Sequence, residues 1–227
     1  MVFTRSLTRS RTARIFSALI LGGLYTFLRV GAASAGEAAP HGPSCHGLAA
    51  TIVGTPGHDV LHGTHGHDVI VGLGGGDQIS GGGGGDVICG GGGSDMLSGG
   101  AGQDELFGGP GADDLEGNGG ADDVEGNGGD DTIEGDDGSD DLEGDDGGDS
   151  IEGDAGSDTL EGNGGSDDLS GGAGDDDLSG DAGDDQLDGG AGDDVEDGGG
   201  GDDVAVCNST AVEDDDCQGD EDEQGVD

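Results

Sequence analysis

From residue 54 to residue 206 an aspartate recurs at every ninth position without a missed step: Asp59, Asp68, Asp77, Asp86, Asp95, Asp104, Asp113, Asp122, Asp131, Asp140, Asp149, Asp158, Asp167, Asp176, Asp185, Asp194 and Asp203. Glycine stands five and two residues before each of them, so the segment divides into seventeen nonapeptides with Gly at positions one and four and Asp at position six. Position eight is Leu, Ile or Val in the first fifteen copies, from Leu61 to Leu187. An unbroken period of this kind specifies a stacked repeat architecture before any single element is assigned.

The composition taken alone points elsewhere. With 59 Gly, 53 acidic and 5 basic residues among 227, the chain has the high charge and low apolar content of a disordered polymer. Disorder needs that composition but not the phase, and the phase is what decides. Glycines at positions one and four permit tight turns with positive φ and close approach of neighbouring coils. Positions seven to nine then form a short strand whose middle residue faces opposite to its neighbours. Nine residues make half a coil and eighteen complete it, which stacks two parallel sheets around a narrow core of position-eight side chains. At about 4.8 Å per coil the rod is about 40 Å long.

One aliphatic side chain per nine residues falls well short of the entropy lost on ordering them. Ladder hydrogen bonds and bound ions have to supply the rest. Hard carboxylate and carbonyl oxygens with no soft ligand suit calcium or magnesium, and calcium tolerates the irregular oxygen shells that backbone turns offer. The Asp column is therefore the candidate metal site.

The ends differ from the middle. Arg5, Arg9, Arg11 and Arg14 precede an uncharged stretch from Ile15 to Leu28, and Ala33-Ser34-Ala35 has the small-residue pattern of a cleavage site. Residues 1–35 are read as a secretory signal, too short in their apolar part to span a bilayer comfortably. With Arg29 they hold every basic side chain, so the mature chain is expected to be a secreted, extracellular polyanion. Such a chain has nothing with which to neutralise phosphates, so nucleic acid and an anionic membrane are excluded as partners. Cys45, Cys89, Cys207 and Cys217 suit disulfides in an exported chain; three pairings are open, and loop length favours Cys207 with Cys217.

Motifs for catalysis are absent: there is no H-E-x-x-H, G-x-S-x-G or P-loop. His46, His65 and His67 fall on one edge of the rod in this register, an arrangement zinc or copper would accept. They lack cysteine neighbours and fixed ligand spacing, and His58 and His67 are read as simply occupying the free fifth turn position. Position nine is Glu in six successive copies, Glu116, Glu125, Glu134, Glu143, Glu152 and Glu161. Like charges stacked one coil apart repel; the row is read as a solubilising face in preference to an adhesive one.

The form Gly-Gly-x-Gly-x-Asp-x-(Leu/Ile/Val)-x, met literally at Gly99 to Phe107 and Gly171 to Ser179, resembles the RTX, or haemolysin-type, calcium-binding nonapeptide. The resemblance implies an all-β fold, a right-handed parallel β-roll with multiple calcium ions as its cofactor. Each ion would lie between turns one coil apart, held by position-six Asp and turn carbonyls. This pairs Asp59 with Asp77 and continues to Asp185 with Asp203, fifteen pairs in all. The start, Cys45-His46-Gly47-Leu48-Ala49-Ala50-Thr51-Ile52-Val53 with Ile88-Cys89-Gly90-Gly91 further on, is similar to short secreted actinobacterial proteins of this type. It makes residues 36–53 an N-terminal cap tied by Cys45 to Cys89, with Ile52 as position eight of a partial zeroth repeat.

Departures from the toxins of the family are plain: no large effector region precedes the repeats, and the expected signal is N-terminal. In the last two copies position eight is Glu196 and Ala205, with Val195 and Val204 one place earlier. A one-residue strand shift and fraying near residue 190 are expected there, with Asp194 and Asp203 as weaker ligands. Residues 207–227 are read as an acidic tail, a disulfide loop plus disorder. The functional expectation is a non-enzymatic calcium-binding protein whose folding depends on calcium, serving as a surface or matrix component, or alternatively as an accessory module to a separate enzyme or adhesin.

Overall fold

The computed structural model describes residues 42–206 and 216–218, without the side chains of Val206 and of the last three. The signal-peptide reading and the Cys207 to Cys217 pairing lie outside them. Described residues contain no helix, hence none long and apolar enough to cross a membrane.

Strands from odd repeats form a nine-stranded parallel sheet running from Val60–His62 to Val204–Val206. Strands from even repeats form a ten-stranded sheet from Ile52–Val53 to Asp216–Gln218. Within the repeats each strand pairs with the one eighteen residues on, as in Leu115 with Ile133 and Leu142 with Leu160, whereas Val195–Asp197 pairs with Asp216–Gln218 further along. This is a parallel β-roll, the fold the nonapeptide phase implies. The sheets meet on one column of fully buried aliphatics from Ile70 to Leu187, with Ile52 and Leu61 packed against its open end. Two consecutive apolar residues on one strand would place one of them outside, and the alternation avoids this along most of the rod.

The N-terminal cap is a small second layer. Ser44–Cys45 and Leu48–Ala49 form an antiparallel hairpin around His46 and Gly47, both at positive φ as two-residue hairpin turns require. It lies on the outer face of the ten-stranded sheet, where Cys45 packs with Val69, Val71, Val87 and Phe107. The Cys45–Cys89 disulfide pins it there, and the His46 ring stacks on Phe107 with centroids 3.6 Å apart. Ile52 pairs in register with Ile70, so the partial zeroth repeat is real.

The other end corrects the sequence reading. Neither the register shift nor the fraying occurs: Glu196 pairs with Leu178 and Ala205 with Leu187. Val195 and Val204 stay on the outside, about half exposed, and Glu196 is buried in the aliphatic column with Oε1 accepting the Gly189 N–H at 2.7 Å. The turns hold the register: Asp176 N–H reaches Asp194 and Asp185 N–H reaches Asp203, both at 3.0 Å, and a slip by one residue would break these contacts along with the backbone ladder. Asp216–Gln218, read as tail, adds one more parallel strand beyond Val195–Asp197.

Candidate metal centre

Every expected Asp pair is present as a contact. Each position-six N–H donates to Oδ1 of the Asp one coil later, at 2.7 Å from Asp59 to Asp77 and 2.8 Å from Asp131 to Asp149. All fifteen pairs, to Asp185 with Asp203, follow this pattern. Asp68 to Asp185 are buried, while Asp59, Asp194 and Asp203 are half-buried because they lie at the ends of the stack.

The second carboxylate oxygen is the unusual one. From Asp77 to Asp185 thirteen successive Oδ2 atoms, and Asp203 Oδ2 beyond them, are buried with no hydrogen-bond donor. A buried carboxylate oxygen left unpaired is costly, and a row of them is relieved either by a cation or by protonation. Burial drives the position-six carboxyls from Asp86 to Asp185 up from their ordinary 3.8; they reach about 7 at Asp113 and Asp122 and about 6 at Asp149 and Asp176, where neighbouring Asp charges add to the effect.

The surrounding backbone explains the glycines. A β-carbon built on Gly108 would lie 2.6 Å from Asp113 Oδ2 and 2.8 Å from the Gly126 carbonyl. One built on Gly111 would strike the Gly93 carbonyl and come within 2.9 Å of Asp113 Oδ1. Both glycine columns thus leave a carbon-free cradle where carboxylate and carbonyl oxygens from successive coils converge. Among the described residues no three His, Cys, Asp or Glu side chains group as a metal site, so a metal here would draw its further oxygens from turn carbonyls or water. Hard oxygens of that mixture fit calcium.

Positive φ was expected at positions one and four. Position one does not adopt it; its Gly is required by close approach alone. Position four adopts it at Gly75, Gly84, Gly93, Gly102, Gly129 and Gly174. The consistent left-handed site is position two, which the sequence reading missed. All fifteen residues from Leu73 to Gly199 in that column have positive φ, including Asn118 at 73° and Asp145 at 70°. Its enrichment in Gly, Asn and Asp was the available signal.

A model of the RTX calcium-binding nonapeptide repeat matches six overlapping stretches that together cover residues 53–205. The chain belongs to that family. Its repeats are accordingly calcium-binding repeats, and the buried Asp ladder is consistent with multiple calcium sites. No curated protein matches the chain.

The remaining candidates are less productive. His58 and His67 direct Nδ1 at the carbonyls of Gly76 and Gly85 in the next coil, as position-five residues should. No histidine joins a metal cluster among the described residues. The Glu rows do stack, Glu116 with Glu134 and Glu152 on one sheet, Glu125 with Glu143 and Glu161 on the other. Partial burial and then the flanking carboxylates raise Glu134 and Glu143 above their ordinary value.

Proposed function

We propose that this chain is exported, that its N-terminal 35 residues are a removed signal, and that the remainder is a non-enzymatic rod which folds on meeting extracellular calcium. The position-six aspartates are its ligands, with turn carbonyls completing each shell. Bound calcium supplies the positive charge that the mature chain lacks, and its binding free energy becomes folding free energy. Calcium on this reading is a structural component of the rod and not a cargo. A rigid, strongly acidic rod without catalytic motifs suits a surface or matrix role.

The observation that carries the reading is the run of thirteen buried Oδ2 atoms without a donor, a state that a calcium-free rod cannot hold cheaply. Circular dichroism of the mature protein tests it. The spectrum should pass from coil to β at about millimolar calcium, the range of extracellular modules, and return with chelator. A coil spectrum that persists at several times that concentration would sink the proposal. Magnesium should substitute poorly, because it requires near-ideal octahedral geometry.

A further inference from the structure

The repeats fall into two structural classes. In the first two, position two is Thr55 or Thr64, and neither adopts positive φ. A β-branched residue resists the left-handed conformation that the later fifteen copies share. The local consequence is a rotated turn whose donors face the carboxylate. Thr55 N–H and Oγ1–H donate to Asp59 Oδ2 at 2.6 and 2.9 Å; Thr64 N–H and Oγ1–H donate to Asp68 Oδ2 at 2.7 and 2.9 Å. Thr51 Oγ1 adds a bond to Asp68 Oδ1 at 3.2 Å. The Oδ2 atoms left bare from Asp77 to Asp185 have counterparts at Asp59 and Asp68 that are already satisfied.

From this we infer that Thr55 and Thr64 take the place of the ion at the first two turns, so that the N-terminal end of the rod binds no calcium there and stays folded without it. Three independent features of the same end fit. It has a second apolar layer, Val69, Val71, Val87 and Phe107 under the Cys45 hairpin, with no later counterpart among the described residues. It is closed covalently by Cys45–Cys89. Its charge density is low: residues 42–98 contain five acidic side chains, whereas residues 99–206 contain 38. Loss of calcium therefore releases strong repulsion only beyond the capped end. The capped coils become the template on which later coils add, one strand at a time, as calcium arrives. Folding of a stacked repeat can start at any repeat and propagate to its neighbours; the contacts that need no calcium put the start at the N-terminal end.

The inference rests on the calcium-folding reading above, and hydrogen exchange on the full mature chain separates the two. In chelator, amides of residues 52–89 should exchange at least tenfold more slowly than those of residues 117–178, and calcium should protect the latter. If calcium protects 117–178 but 52–89 exchanges equally fast in chelator, the inference is overturned and the calcium reading stands. If calcium protects neither, the calcium reading itself fails. A T55G/T64G chain supplies the second arm. It should lose the chelator-resistant protection, regain it with calcium, and bind two more ions than the unsubstituted chain by equilibrium dialysis. Unchanged protection and stoichiometry in that variant would also overturn the inference. A T55S/T64S chain, which keeps both donors, should behave like the original.

Discussion

Replacing Gly126 by alanine should damage the rod, and replacing Gly128, two residues on, should not. The two differ only in what a methyl group would meet. At Gly126 a β-carbon would lie 2.6 Å from Asp131 Oδ2 and 2.9 Å from the Gly144 carbonyl, both far inside van der Waals contact. The carbonyl belongs to the backbone of the next coil, and the carboxylate is held through Oδ1 by the Asp113 N–H at 2.7 Å, so neither can yield freely. Overpacking of this kind costs about 1–3 kcal/mol. At Gly128 the nearest atom, the Asp146 carbonyl, is 4.0 Å away, and φ lies outside the left-handed region. Loss of glycine flexibility in the unfolded chain then favours alanine by about 0.4–1 kcal/mol. The two variants should therefore separate by about 1.4–4 kcal/mol, the sum of those ranges, in urea denaturation at saturating calcium. G126A should also need more calcium to fold. Equal midpoints for the two variants would refute the idea that position-one glycine exists to clear the carboxylate cradle.

Acid should partly replace calcium. Without metal, the folded-state carboxyls of Asp113 and Asp122 titrate near 7 and those of Asp149 and Asp176 near 6, above the ordinary 3.8. A raised carboxyl favours the fold below the unfolded value and loses that contribution as pH rises through the folded one. Chelated protein should show more β signal by circular dichroism at pH 5 than at pH 8, and the reverse order would contradict the burial argument. Glu196→Gln should raise the thermal midpoint in calcium, by about 1 kcal/mol in stability, since it removes a buried charge and keeps an acceptor for the Gly189 N–H. Leu73→Asn should stabilise by about 1 kcal/mol in the same assay, because Leu73 sits at φ 84° where Asn118 occupies the equivalent turn at 73°.

The periodic part of this molecule was legible because its period is its structure. Once Asp59 and Asp77 are one coil apart, the pairing of Leu61 with Ile79 and of every later strand follows without further information. What could not be read was whatever depends on competition between terms. The register at Glu196 is one case: side-chain burial argued for a slip, and the turn bonds at Asp194 and Asp203 with the backbone ladder outweighed it. The layer beneath the cap is another: the cap and its Cys45–Cys89 tie were legible, but the outward Val69, Val71, Val87 and Phe107 at positions seven and nine were not assigned as the face it covers. The Thr-closed turns were hidden for a different reason. Thr55 and Thr64 look like ordinary variation at position two until backbone conformation shows that they turn donors toward the Asp.

The central claim is that the buried carboxylate column holds the calcium. A crystal structure of the mature protein grown in calcium, with anomalous scattering used to locate the ions, tests it most directly. The account predicts peaks in register with the Oδ2 atoms from Asp77 to Asp185, one per half-coil, and none confined to the outward Glu rows. A folded rod whose Oδ2 column carries no ion would contradict it.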